Sequence, residues 1–150
     1  MIPDFETVTG YLAAGEHEAP WDEICDRFGW NLRRRRLLGG LGEALAVLAA
    51  AGCTRVWLNG SFVTAKDEPD DFDAVWDPAG VDRLVLQRRG PELLDLTNHR
   101  AAQKHRFGGE LFPNIVEGSS GTSFERFFQT DRDGNPKGIV VIDPTSEVWP

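Results

Sequence analysis

The sequence has little with which to cross-link itself. Its two cysteines, Cys25 and Cys53, are too few and too isolated for a disulfide framework or a zinc site. The three histidines, His17, His99 and His105, are scattered without ligand spacing, which removes the common transition-metal patterns. Bases are scarce as well: 16 Lys and Arg stand against 24 Asp and Glu, a net charge of −8. Neutralising a nucleic-acid backbone needs a basic face, so nucleic acid is not an expected partner. No apolar run is long enough for a bilayer. The longest, Leu37–Cys53, contains Glu43 and four glycines. The opening MIPDFETVTG lacks the basic-then-apolar layout of a secretory leader. A soluble, reduced, cytoplasmic protein is expected, with no membrane partner.

What is present is globular. With 41% apolar and 27% charged residues, a chain of 150 residues can bury one ordinary core. Residues 1–30 are rich in turn formers and acids and read as an arm packing on a domain that spans 31–150. Within the arm, Trp21, Ile24 and Phe28 share one helical face. The clearest helix runs from about Leu32 to Ala51, where Leu38, Leu41, Leu45 and Leu48 form one stripe. Asn31 is its N-cap and Gly52 its stop. Arg33 to Arg36 crowd its first turn, an unfavourable place in the helix dipole. Either a partner for them or a solvated first turn would accommodate that.

Further on, TRVWLN (Thr54–Asn59), DFDAVW (Asp71–Trp76), GGELF (Gly108–Phe112) and IVVI (Ile139–Ile142) read as strands. Val81–Arg89, the segment AAQKHR and Ser123–Gln129 read as helices, the last with Thr122 and Glu125 at capping-box spacing. The expected fold is α/β (α+β): a small mixed sheet with helices packed mainly on one side.

The chemistry concentrates between Asn59 and Asp77. Six acids and no base lie between Asp67 and Asp77. Asp67, Glu68 and Asp70 read as a solvated loop. Asp71 and Asp73 differ, because residues two apart on a strand point to one face while Phe72, Ala74 and Trp76 face the core. Two carboxylates side by side repel unless a cation sits between them. An oxygen-only pair suits Mg²⁺ or Mn²⁺. Glu110, on a neighbouring strand, is the candidate third acid. Upstream, Gly60 permits a tight turn, and Ser61 with the amides after it can hold a phosphate at the start of a helix. Phosphate holder and metal holder would face one pocket, so a nucleoside triphosphate is the expected ligand.

Gly60-Ser61, nine intervening residues, then Asp71-Phe72-Asp73-Ala74 resembles the signature of the DNA polymerase β-like nucleotidyltransferase superfamily. More narrowly, GSFVTAKDEPDDFD, AAQKHRFGGELFP and FFQTDRDGNPKGIVVID resemble an uncharacterised bacterial nucleotidyltransferase-like family over nearly the whole chain. The resemblance implies a metal-dependent nucleotidyltransferase with ATP foremost. Asp71, Asp73 and Glu110 would be its metal-binding and catalytic acids, and Gly60 and Ser61 its phosphate turn. Metals in such sites clamp the phosphates during in-line displacement. Lys66, Lys104 and Lys137 would add nucleotide binding, with Arg100 and Arg106 as further cations. Some relatives in the superfamily are antitoxins or phage-defence components, and others modify antibiotics, RNA or proteins. A nucleotidyltransferase-fold antitoxin that binds a partner toxin is the alternative. One departure stands out: Thr64-Ala65-Lys66 replaces the additional glycine that often follows the Gly-Ser turn.

Other motifs fail. DRDGNPKG starts like a calcium loop, but Pro136 stands where the sharp-turn glycine belongs and Ile142 where the bidentate glutamate belongs. It reads as a hairpin-like turn. Neither cysteine has an activating partner. The five tryptophans read mostly as core or packing residues, with lining of the pocket the lesser alternative for Trp57, beside the Gly-Ser turn.

Overall fold

In the central strands, apolar and polar residues alternate in a way that sets which face meets the helices. In β2 (Val56–Asn59), β3 (Phe72–Trp76), β4 (Gly109–Pro113) and β5 (Ile139–Ile142), one parity carries Val56, Leu58, Phe72, Ala74, Leu111 and Val140. All six belong to the main core. The computed structural model describes residues 1–115 and 129–150, and in it these strands form a sheet with a short edge strand, β1 (Glu16–Glu18). The strand order is β1-β5-β2-β3-β4. β2 lies antiparallel to both β3 and β5, while β1 runs parallel to β5 and β4 parallel to β3. The expected mixed sheet is present.

Among the described residues, four helices supply the other half of the main core. They are α1 (Trp21–Phe28), α2 (Leu32–Ala50), α3 (Arg83–Arg89) and α4 (Thr97–Phe107). The α2 stripe is buried as its spacing implies: Leu38 is 6% exposed, and Leu41, Leu45 and Leu48 are fully buried. Asn31 caps α2 through its side chain, which accepts from the Arg34 amide. Burying each such leucine contributes about 1.5–3 kcal/mol, and the stripe together offsets the poor helix propensity of three internal glycines, about 1 kcal/mol each. In α3 the inward residue is Leu86, fully buried, whereas Leu84 is 60% exposed. The short apolar run there does not fix the helical phase by itself.

The opposite face of the sheet carries a smaller buried cluster, Trp57, Val75, Ile139 and Val141. It also carries the acids considered below. The N-terminal thirty residues are woven into the domain: β1 pairs with β5, α1 buries Ile24 and Phe28, and Tyr11 donates to Asp131 across the fold. Asp131 in turn accepts from the amides of Asp133 and Asn135, which makes DRDGNPKG a self-capped turn. The expected Ser123–Gln129 helix with its capping box falls mostly on residues 116–128, outside the described residues. Among the described residues no helix is long and apolar enough to cross a membrane.

Candidate functional site

Register builds the site. Asn59 at the end of β2 stands opposite Asp73 on β3, and Asp73 stands opposite Glu110 on β4. Directly opposed residues share a face, so these three side chains form a row across the sheet on the side away from the helices. With strands about 4.8 Å apart, the row spans about 10 Å. Asp71 immediately precedes β3 and lies two residues from Asp73, which puts it on the same side. Strand pairing thus brings together the three acids that the sequence singles out.

The electrostatics follow from that crowding. Burial, then the charges of Asp71 and Glu110, push the Asp73 carboxyl up to about 7, with Lys137 and Lys104 pulling the other way. Asp71 is also raised, by burial first and by Glu110 and Asp70 next, against the pull of Lys104 and Lys66. Each of the three lysines proposed from sequence therefore acts on an aspartate of the row. Glu110 is ion-paired to Lys104 at 2.9 Å and to Arg100 at 3.3 Å. Arg106 belongs elsewhere, holding Glu43 and Glu92.

The Gly60 turn meets the acids directly. Its backbone (φ +75°, ψ −168°) lies in a region open essentially to glycine alone. An added Cβ would overlap Oδ2 of Asp73. The turn therefore touches the carboxylate because it has no side chain. The expected helix after it is a single 3₁₀ turn, Ser61–Val63. Its amides are partly spent: Val63 donates to Gly60 O, Thr64 to Ser61 O and Ala65 to Gly10 O. The phosphate grip expected from a full helix start is correspondingly reduced. Trp57 lies one step further along the same face, its Nε1 donating to Glu16 Oε1.

Three features were not foreseen. Arg34 is fully buried, and its guanidinium donates to the carbonyls of Phe28, Phe62, Thr64 and Lys66 while stacking 3.7 Å from the Trp30 ring. Of the four arginines at the start of α2, this one clamps the loop that follows the Gly-Ser turn. A solvated first turn is thus wrong for Arg34. Exposed Asp67 is also engaged, accepting from the Trp30 indole. Second, Asn98, His99 and Arg100 all have φ between +51° and +59°, a left-handed turn at the start of α4 that carries Arg100 to Glu110. Such residues cost about 1–2 kcal/mol each and persist only where packing imposes them. Third, Asn59 is fully buried and its Oδ1 has no hydrogen-bond partner among the described residues. No spacing rule points to a residue that closes a strand.

Among the described residues, no three His, Cys, Asp or Glu side chains already converge as a metal site. Glu110 is turned to its two cations. The donor set nevertheless suits a hard divalent cation. Asp71 and Asp73 offer only oxygen, and burial with mutual repulsion works against their charge, which a cation would relieve. The two thiols offer no alternative chemistry, since burial pushes both Cys25 and Cys53 up to about 11.

No curated protein and no solved structure matches the chain. A family model described as a family of unknown function (DUF6932) matches residues 3–143, nearly the full length, and the chain belongs to that family.

Proposed function

We propose that this protein binds a nucleoside triphosphate, ATP foremost, and transfers a nucleotide to a protein or RNA acceptor with Mg²⁺ or Mn²⁺ as cofactor. The observation that carries the proposal is the Asn59–Asp73–Glu110 row with Gly60 packed on the Asp73 carboxylate. Asp71 and Asp73 would hold the metal, joined by Glu110 once it leaves Lys104 and Arg100. When bound, the metal would neutralise the triphosphate and stabilise the attacking and leaving oxygens. Lys66, Lys104 and Lys137 would draw the phosphates toward the row, and the Ser61 hydroxyl would donate to one of their oxygens. Glu110, released from its ion pairs, would take the proton of the attacking hydroxyl as that oxygen bonds to the α-phosphorus and pyrophosphate leaves. A cytoplasmic location belongs to the same proposal, because ATP is plentiful there and free thiols stay reduced.

Isothermal titration of ATP in Mg²⁺ tests it. Saturable binding by the wild type, lost in Asp71→Asn and Asp73→Asn, is expected. Wild-type protein that takes up no heat at millimolar ATP contradicts it.

The ion pairs that occupy Glu110 favour a second reading, a catalytically silent module of the same fold that binds a partner such as a toxin. A co-purifying protein that stays bound to Asp73→Asn supports this reading. A chain that purifies alone from its native host contradicts it.

A further inference from the structure

The start of α4 holds a conformation that the contacts of Arg100 repay poorly. Asn98, His99 and Arg100 have φ of 51°, 53° and 59°, three left-handed residues in a row with no glycine among them. Backbone of this kind persists only where its surroundings impose it, and it gathers at clamps and switches. Arg100 passes 5.3 Å from the Phe112 ring and reaches Glu110 through one contact of 3.3 Å. That contact falls on Oε1, the oxygen that Lys104 already holds at 2.9 Å. Arg100 Nε is buried without a hydrogen-bond partner among the described residues.

Just beyond the turn the helix is fixed. Gln103, fully buried, bonds both backbone groups of Leu111: its Nε2 donates to Leu111 O at 3.0 Å and its Oε1 accepts from Leu111 N at 2.8 Å. Lys104 follows Gln103, and Glu110 precedes Leu111, so α4 and β4 run in opposite senses here. A right-handed turn would therefore set Arg100 about 5.4 Å before Lys104 and past Leu111, away from Glu110. The left-handed turn bends Arg100 back to the acid. Glu110 is the covered member of the cluster, 16% exposed, while Arg100 and Lys104 are 29% and 41% exposed. Two cations on one carboxylate also leave a surplus positive charge facing solvent. A free divalent cation meets that charge, whereas a polyphosphate is attracted by it.

We propose that Arg100 and Lys104 form an autoinhibitory latch on Glu110, opened by the polyphosphate chain of the nucleotide. The inference rests on the reading of the acidic row as a metal and nucleotide site. A polyphosphate draws both cations onto its own oxygens, the turn relaxes to right-handed helix, and Glu110 is freed to join Asp71 and Asp73. Cation and polyphosphate then bind cooperatively, each raising the affinity of the other by the same factor.

Two measurements on the full chain test the latch. In the first, Mn²⁺ is titrated without nucleotide and followed by electron paramagnetic resonance. Arg100→Gln should bind Mn²⁺ about tenfold more tightly than the wild type, because Glu110 loses one of its two competitors. Lys137→Gln is the charge-matched control, since Lys137 acts on Asp73 and makes no ion pair among the described residues. Its gain should be smaller, and an Arg100→Gln gain no larger than that of Lys137→Gln overturns the proposal. In the second, the three-bond HN–Hα couplings of Asn98, His99 and Arg100 are read in the wild type. Mg²⁺ with tripolyphosphate, an inorganic chain without sugar or base, should move them from left-handed to right-handed values. Couplings that stay left-handed at saturating tripolyphosphate while Mg·ATP binds overturn the latch alone. Wild-type protein that binds neither ATP nor tripolyphosphate removes the site and the latch together.

Discussion

Replacing Gly60 by alanine separates the contribution of backbone conformation from that of the contact with the acids. The backbone at φ +75° and ψ −168° costs a residue with a Cβ about 1–3 kcal/mol. The new carbon would also sit 3.0 Å from Asp73 Cγ and 3.2 Å from its Cβ, besides overlapping Oδ2. Asp73 would have to leave its rotamer, at about 0.5–1.5 kcal/mol more. The total is about 1.5–4.5 kcal/mol. Gly80 supplies the control, since it has φ +74° with nothing within 4 Å of an added Cβ. Gly80→Ala should cost only the backbone part, about 1–2 kcal/mol. Urea unfolding with unchanged m-values measures both losses. A double-mutant cycle with Asp73→Ala should recover most of the steric excess, because the clashing carboxylate is then gone and only the tight contact with Cβ remains. A Gly60→Ala loss no larger than that of Gly80→Ala, or an excess that survives Asp73→Ala undiminished, refutes the close approach.

Asp73 makes stability depend on pH in an unusual direction. Its folded-state carboxyl titrates near 7, above its ordinary 3.8, so its contribution is full below about pH 4 and is lost as pH rises to about 7. Discounted for solvent screening, the loss is about 2 kcal/mol. Asp73→Asn should flatten the profile of urea midpoints against pH and raise stability at pH 7, and an unchanged slope contradicts this. Arg34→Ala would strand three buried carbonyls and one partly buried one, and should cost about 3–5 kcal/mol in urea unfolding. Arg34→Lys should recover little, since an ammonium lacks the planar fork, and full rescue contradicts the clamp. Lys104→Gln should change the thermal midpoint little, because the ion pair is 41% exposed on the lysine side, yet weaken Mg·ATP binding several-fold in calorimetry. Unaltered ATP affinity removes Lys104 from the site. Gly39→Ala places its Cβ in open space inside α2 and should stabilise by about 0.5–1 kcal/mol, which the thermal midpoint would show.

Periodicity carried the architecture well where one face of an element is wholly apolar. IVVI is a strand at its expected bounds, and the α2 leucines are buried as spaced. It failed where burial depends on a partner far away in sequence. β1 has only three residues, EHE, whose pairing with β5 no local pattern announces. Glu110 was identifiable as a strand acid, but its place opposite Asp73 is a matter of register. Asn59 shares that register and carried no signal. Arg34 sits in a run of four arginines, and composition cannot say which one turns inward; the choice is made by carbonyls 28 to 32 residues away. The left-handed Asn98–Arg100 turn likewise has no glycine to mark it.

Mn²⁺ in the presence of ATP, followed by its electron paramagnetic resonance signal, tests most directly whether the aspartates form a cation site. The free-ion signal should fall on adding wild-type protein, beyond the fall caused by ATP alone. Asp71→Asn and Asp73→Asn should each restore it, while Trp76→Phe should not. A signal that the wild type leaves untouched, or that both aspartate variants diminish as fully as the wild type, contradicts the assignment of the acidic row to metal and nucleotide.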